Sequence, residues 1–227
     1  RLRRMNVAPW SFSKLKSFNQ CPKQFYHLKV AKDYKEKQSS AMFYGNQFHR
    51  AAEHYVKDGE PLPKKFMYSK PVLDSLIAKK GDKLCEYRMG LTENLEPCRF
   101  SDRDAWYRGI CDLIILNEED KLAWVVDYKT SKNTRYADKY QLELMALAVF
   151  KHFPAVETVR AGLLFVVCKA LVKENYEYST ASSLWPKWYT GFDTMKKAYE
   201  TDVWNAKPSG LCKQHCVVTE CIYNGRN

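Results

Sequence analysis

The stretch Arg108–Thr130, RGICDLIILNEEDKLAWVVDYKT, decides how the rest of the chain is read. Two runs rich in branched and aromatic residues flank the acidic turn Asn117-Glu-Glu-Asp120, the pattern of two strands joined by a hairpin. Asp112 stands on the first run, and Asp127 and Lys129 stand on the second. Side chains alternate along a strand, so Asp127 and Lys129 leave the same face and Asp112 can lie beside Asp127. Two carboxylates and an ammonium converging at a strand end suit a hard divalent cation and a placed point charge. Phosphodiester hydrolysis uses those parts: the cation polarises the phosphoryl oxygen and generates hydroxide, while the ammonium orients water or offsets developing charge. Asp-x-Lys alone is also common in exposed strand salt bridges, so the neighbouring elements carry weight.

Upstream, Ser11-Phe-Ser13 and the following LKSFNQCPKQFYHL read as a serine-capped helix broken at Pro22 and followed by a second short helix. Ala41 to Val56 reads as a helix closed by Lys57-Asp-Gly59, Glu60 to Pro71 as a loop, and Val72 to Ala78 as a helix. Gly45, His49 and Glu53 recur at spacing four and share one helical face. Lys83–Leu91, Ala105–Leu116 and Lys121–Thr130 read as strands. An amphipathic helix from about Thr134 to Phe153 opens with Gln141 on its polar side; a strand, Val159–Lys169, and a Trp- and Tyr-rich helical stretch, Ser183–Trp204, follow. The expected fold is mixed α/β.

The 227 residues suit one large domain, with 45% apolar and 28% charged residues. A single domain over 1–227 is expected, with a helical part at 10–82, a catalytic core sheet and helix at 83–170, and a C-terminal helix and cysteine tail at 171–227. No apolar run is long enough to span a membrane. RLRRMNVAPW has no apolar signal core, so a cytoplasmic protein of a bacterium or of a phage-infected cell is expected. The net charge of +11 favours a polyanionic partner. No helix-turn-helix, zinc finger or Walker loop is present, which disfavours sequence-specific recognition and an ATP motor. Basic residues interleave with aromatics near both ends, and Lys14, Lys23, Trp188 and Tyr189 are candidates to contact a nucleic acid.

The ordered set Gly45-x-x-x-His49-x-x-x-Glu53, Gly109-x-x-Asp112, Asp127-Tyr-Lys129-Thr130 and Gln141 resembles the RecB-like branch of the PD-(D/E)XK nuclease superfamily. The resemblance implies a restriction-endonuclease-like core with a mixed central sheet flanked by helices. It further implies that His49, Asp112, Asp127 and the backbone carbonyl of Tyr128 hold Mg2+ or Mn2+ and that Lys129 assists the nucleophile. Gln141 matches the glutamine of the QxxxY motif near the site, with Met145 standing in place of its tyrosine. Glu86 reads as a plain strand acid or an outer contact.

Cys212, Cys216 and Cys221 crowd into the tail, and Cys21 lies early in the chain; Cys85, Cys98, Cys111 and Cys168 read as small buried hydrophobes. Three late cysteines and one early one resemble the iron–sulfur members of that branch, including CRISPR-associated and AddB-type nucleases. The resemblance implies a [4Fe–4S] cluster on Cys21, Cys212, Cys216 and Cys221, packing the N-terminal helices with the tail; Zn2+ on the same residues, or with His215, is the alternative. The expected activity is metal-dependent hydrolysis of DNA, as an exonuclease on single strands or duplex ends. Alternatives are a structure-specific or nicking endonuclease and a catalytically idle DNA-binding module in a larger repair complex. Protein partners in replication or recombination are compatible with it, and the oligomeric state is open.

Overall fold

The computed structural model describes Val7 and residues 9–225. The leading RLRR lies outside the described residues. The chain divides into two compact units, residues 39–185 and a unit formed by residues 1–38 with 186–227. Among the described residues no helix is long and apolar enough to cross a membrane.

The central unit carries a six-stranded sheet built from β1 (Asp82–Leu91), β2 (Pro97–Cys98), β3 (Tyr107–Asn117), β4 (Leu122–Lys129), β5 (Thr158–Phe165) and β6 (Ala170–Glu177), in the spatial order β2-β1-β3-β4-β5-β6. Every neighbouring pair is antiparallel except β4 and β5. A parallel pair needs a crossover, which α5 (Lys139–His152) supplies. Residues Leu142 to Phe150 of this helix are all buried, and it packs across β1, β3, β4, β5 and β6. It starts later than the sequence pattern suggests. The Asp138 carboxylate accepts from the Tyr140 N–H and caps the helix there, while Thr134–Ala137 forms a turn.

Two further helices, α3 (Ser40–Asp58) and α4 (Lys70–Ile77), serve the opposite face. Ser39 caps α3 by accepting from the Met42 N–H, and Gly59 ends it at φ 70°. Phe48 and Ala52 of α3 and Leu73 and Leu76 of α4 meet Leu113, Ile115, Val126 and Tyr128 of the sheet. Each Phe, Leu, Ile or Val among them contributes about 1.5–3 kcal/mol when fully buried. Part of the segment expected as loop, Lys64–Ser69, is a 3-10 helix, and Pro71 stands in the first turn of α4, where its missing N–H costs nothing.

Two strands escape the sequence reading. β2 is two residues long. β6 is an edge strand whose residues alternate half-buried and exposed, so its Lys, Glu and Asn content masks the signal. It belongs to the core sheet, although the sequence boundary places 171–177 with the C-terminal part. Three of the four scattered cysteines also differ from expectation: Cys111 is buried as expected, whereas Cys85, Cys98 and Cys168 are only partly so. The short α6 (Tyr178–Ala181) follows β6.

In the other unit, α1 (Phe12–Gln20) is capped by Ser11, which accepts from the Lys14 N–H. Pro22 opens α2 (Pro22–Phe25), which continues as a π-helical turn, Tyr26–Ala31, ended by Lys32 at φ 57°. Most of α7 (Trp185–Thr201) and the short α8 (Leu211–Gln214) complete it. Phe18, Phe25 and Phe192 are core residues. Trp188 joins them. It is 6% exposed, stacked on Trp10 at 6.1 Å and edge-on to Phe12 at 6.3 Å. The indole expected to meet a nucleic-acid base therefore packs against protein, and Tyr189 beside it is half-buried. Lys14 is also turned inward. Its ammonium donates to the Val7 and Pro9 carbonyls, and burial lowers its pKa.

Candidate active site

The β3–β4 ladder runs from Asn117↔Leu122 up to Leu113↔Val126. One residue further, where Asp112 would face Asp127, the ladder stops. The Asp112 carboxylate replaces the lost bond: Oδ2 accepts from the Tyr128 N–H at 2.7 Å. The other carboxylate oxygen lies 3.2 Å from Nδ1 of His49 on α3, and Nε2 of His49 lies 3.1 Å from the Tyr128 carbonyl. Phe48 beside it is fully buried against Tyr128, which anchors this turn of α3 to the sheet. Gly45 one turn earlier faces Thr130 so closely that a Cβ would stand 3.3 Å from its hydroxyl.

Glu86 completes this corner. β1 pairs with β3 at Cys85↔Leu113 and Tyr87↔Cys111, and the intervening Glu86 adopts φ 48°, a left-handed conformation costly for a residue with a Cβ. Ligand atoms of His49, Glu86 and Asp112 lie within 4.8 Å of one another. Burial and then the charge of Asp112 raise the Glu86 pKa. Burial alone would lower the His49 pKa, but the bond to Asp112 and the fields of Asp112, Asp127 and Glu86 outweigh it, and the net shift is upward. A nitrogen, two carboxylates and an adjacent carbonyl form a donor set suited to Mg2+ or Mn2+. Such an ion needs the imidazole neutral, so binding it displaces the proton.

Asp127 belongs to a separate trio with Lys129 and Gln141. Gln141, in the first turn of α5, donates from Nε2 to Asp127 Oδ1 at 2.7 Å and accepts from Lys129 Nζ at 3.0 Å. Lys129 Nζ stands 2.6 Å from Asp127 Oδ2 as an ion pair without hydrogen-bond alignment. Asp127 is 4% exposed. Burial, then the Asp112 charge, raise its pKa to about 6, against the opposing pull of Lys129.

A profile of the PD-(D/E)XK nuclease superfamily matches residues 9–221. The chain belongs to the PD-(D/E)XK nuclease superfamily. Its α/β architecture, with a mixed sheet flanked by helices, agrees with the fold expected from the sequence. A crystal structure of a protein from Eubacterium rectale, described as a "Putative exonuclease", aligns with a TM-score of 0.57 at 12% identity, covering 96% of this chain and 90% of that one. A likeness at that identity concerns the fold. The structure of SSO0001 aligns over 95% of this chain and 86% of that one, with a TM-score of 0.43 and 11% identity. No curated protein matches the sequence.

In this superfamily member the structure brings together His49, Asp112, Asp127, Tyr128, Lys129 and Gln141. It adds Glu86, which the sequence reading underrated. The signal available was its antiparallel register with Asp112; the positive φ that turns it is invisible in sequence. Gly109 makes room for a buried ring: a Cβ there would meet the Tyr107 hydroxyl at 2.3 Å. Met145 is buried in the α5 core.

Within the unit of residues 1–38 and 186–227, Cys21, Cys212, Cys216 and Cys221 line one small pocket, together with Lys23. Backbone N–H groups of Lys207 and Ser209 point to the sulfurs of Cys21 and Cys212, each at 3.4 Å. Asn224, 4% exposed, donates to the Cys216 and Val218 carbonyls and fixes the turn that presents the late cysteines. Convergent thiols with N–H donors on their sulfurs fit a thiolate-bound inorganic centre. His215 is not among the residues lining this pocket.

Proposed function

We propose that this chain is a divalent-metal-dependent deoxyribonuclease, acting as an exonuclease on single-stranded DNA or duplex ends. The observation that carries the reading is the meeting of His49, Glu86 and Asp112 beside the closed Asp127–Lys129–Gln141 triangle. His49, Asp112, Asp127 and the Tyr128 carbonyl would hold Mg2+ or Mn2+, with Glu86 at its edge. The ion would polarise the phosphoryl oxygen and acidify a bound water.

The chain's own groups do the rest. Lys129 positions the attacking water and offsets negative charge on the phosphate. Gln141 fixes the rotamer of that lysine. Burial of Asp127 keeps its pair with Lys129 short of bulk water, which strengthens the field at the reacting phosphate. The +11 charge supports a polyanionic substrate. The cysteine pocket supports a [4Fe–4S] centre that joins the two stretches of its unit.

The test uses end-labelled single- and double-stranded DNA alongside single-stranded circles and plasmid, each with Mg2+, Mn2+ or EDTA. Release of labelled short products from linear DNA with circles intact is the expected result. Cleaved circles replace the exonuclease with an endonuclease. DNA binding with no cleavage in either metal reduces the chain to a binding module.

A further inference from the structure

A second site lies on the sheet face opposite Asp127. Trp124 and Asp127 are three residues apart on β4, so their side chains leave opposite faces. On the Trp124 side, a groove of about 380 Å³ runs between α4 and β6, with β4 and β5 as its floor. At Gly162 the Leu171 side chain of β6 leans over the bare backbone, 2.8 Å from where a Cβ would stand. Val126, Leu164 and Gly162 make the floor apolar.

The rim is cationic. Trp124 pairs with Arg160 across the β4–β5 ladder, and the guanidinium lies 5.1 Å from the indole centroid. Lys79, just past the end of α4, lies 4.0 Å from the same ring. Lys173 stands opposite Gly162 on β6, diagonal to Arg160 and on its face. Among the described residues no carboxylate lines the groove. The acids near it are engaged elsewhere: Glu174 pairs with Lys139, Glu177 accepts from Thr158, and Glu119 pairs with Lys80.

We propose that this groove binds a nucleotide, with the base against Trp124 and the apolar floor and the phosphate between Arg160 and Lys173. The volume falls in the range of small-ligand pockets, roughly 300–1,000 Å³. A guanidinium and an ammonium on one rim suit a phosphate, and an indole flanked by cations suits a planar base. An acidic peptide would satisfy the cations but leave the indole and the narrow floor unmatched. The nucleotide is either free or part of a DNA strand. The proposal does not rest on the cleavage reading, because the site has its own residues.

The test is binding by the full chain in EDTA, where cleavage is silent. Calorimetry reads affinity for dAMP, inorganic phosphate, a ten-residue oligothymidylate and a glutamate decapeptide. Indole NMR, assigned with Trp124→Phe, reports the location. We expect dAMP to shift the Trp124 signal and to bind at least tenfold more tightly than phosphate. Arg160→Glu and Lys173→Glu should each weaken dAMP at least tenfold. Lys57→Glu, with the same charge change on α3, should not. Tighter binding of the oligonucleotide than of dAMP identifies a strand as the source; equal binding identifies the free nucleotide. Arg160 and Lys173 are exposed, so both variants should melt as the wild type does. The proposal fails if dAMP does not bind, if its affinity ignores both charge reversals, or if only the peptide binds.

Discussion

The Lys129 ammonium is held by the Gln141 side-chain carbonyl at 3.0 Å, a bond from β4 to the start of α5. Through its amide, Gln141 also grips Asp127. Removing it frees both groups without touching the His49–Glu86–Asp112 corner. Gln141→Ala should therefore lower kcat by about 10–100-fold, since misplacing a reacting group by an ångström can cost about that much. The metal concentration for half activation should rise less than in His49→Ala, because Asp127 loses a partner but stays among the proposed ligands. Single-turnover cleavage across a Mn2+ titration separates the two quantities, and an unchanged kcat would remove Gln141 from the machinery.

His49 and Asp112 sit on the metal side. His49→Ala should weaken Mn2+ binding by at least about tenfold, the loss that even outer partners of a metal produce. Asp112→Asn should abolish cleavage and retain DNA binding, because a carboxylate without its cation repels phosphate. Electron paramagnetic resonance of bound Mn2+ and a filter-binding assay check the pair.

Glu86 carries two costs in the folded chain, a left-handed backbone and a charge beside Asp112. Glu86→Gly relieves both. The variant should melt no lower than the wild type and gain up to about 1 kcal/mol, the usual scale of that backbone penalty less the entropy of glycine. Its cleavage should fall. Calorimetric melting beside a nuclease assay tests this, and a destabilised yet active variant would reverse both assignments.

Asp127 makes stability depend on pH. Its folded pKa, about 6, lies above the ordinary carboxylate value of 3.8, so the folded chain holds this proton more tightly than the unfolded chain. In metal-free buffer the contribution of Asp127 is fully present below about pH 4 and is lost as the pH rises through 6. Asp127→Asn should flatten that fall and stabilise the metal-free protein above pH 7 by about 1–3 kcal/mol, at 1.36 kcal/mol per unit of pKa. Urea unfolding in EDTA at pH 4, 6 and 8 gives the comparison.

The cysteine pocket makes a separate prediction. Protein purified without oxygen should be brown and carry about four irons per chain, as a cubane cluster requires. Cys21→Ser, Cys212→Ser, Cys216→Ser and Cys221→Ser should each lower solubility and melting temperature. Cys111→Ala should cost only packing, about 1–2 kcal/mol. One zinc per chain would keep the ligands and change the centre; iron-free, zinc-free and stable protein would make the cysteines bystanders.

The hairpin that holds Asp112 and Asp127 was legible because strand alternation and an acidic turn are local signals. The helical spacing of Gly45 and His49 was legible for the same reason. β6 was not, because an edge strand with a solvated face shows polar residues where a buried strand shows none. The role of Glu86 depends on a backbone twist that no side-chain pattern encodes. Trp188 was misread because composition cannot tell a stacked core indole from one waiting for a base. Only the fold supplies Trp10 as its partner.

The unit that holds the four cysteines is discontinuous in the chain, with residues 39–185 emerging from the ribosome between its two parts. Cys21 is made early and must wait until Cys212, Cys216 and Cys221 have been translated. The sheet unit is one continuous stretch and can fold in the interval. Completion of the cysteine pocket thus has to follow synthesis of the sheet unit: a chain cut short anywhere before Cys212 can build the sheet but cannot close that pocket.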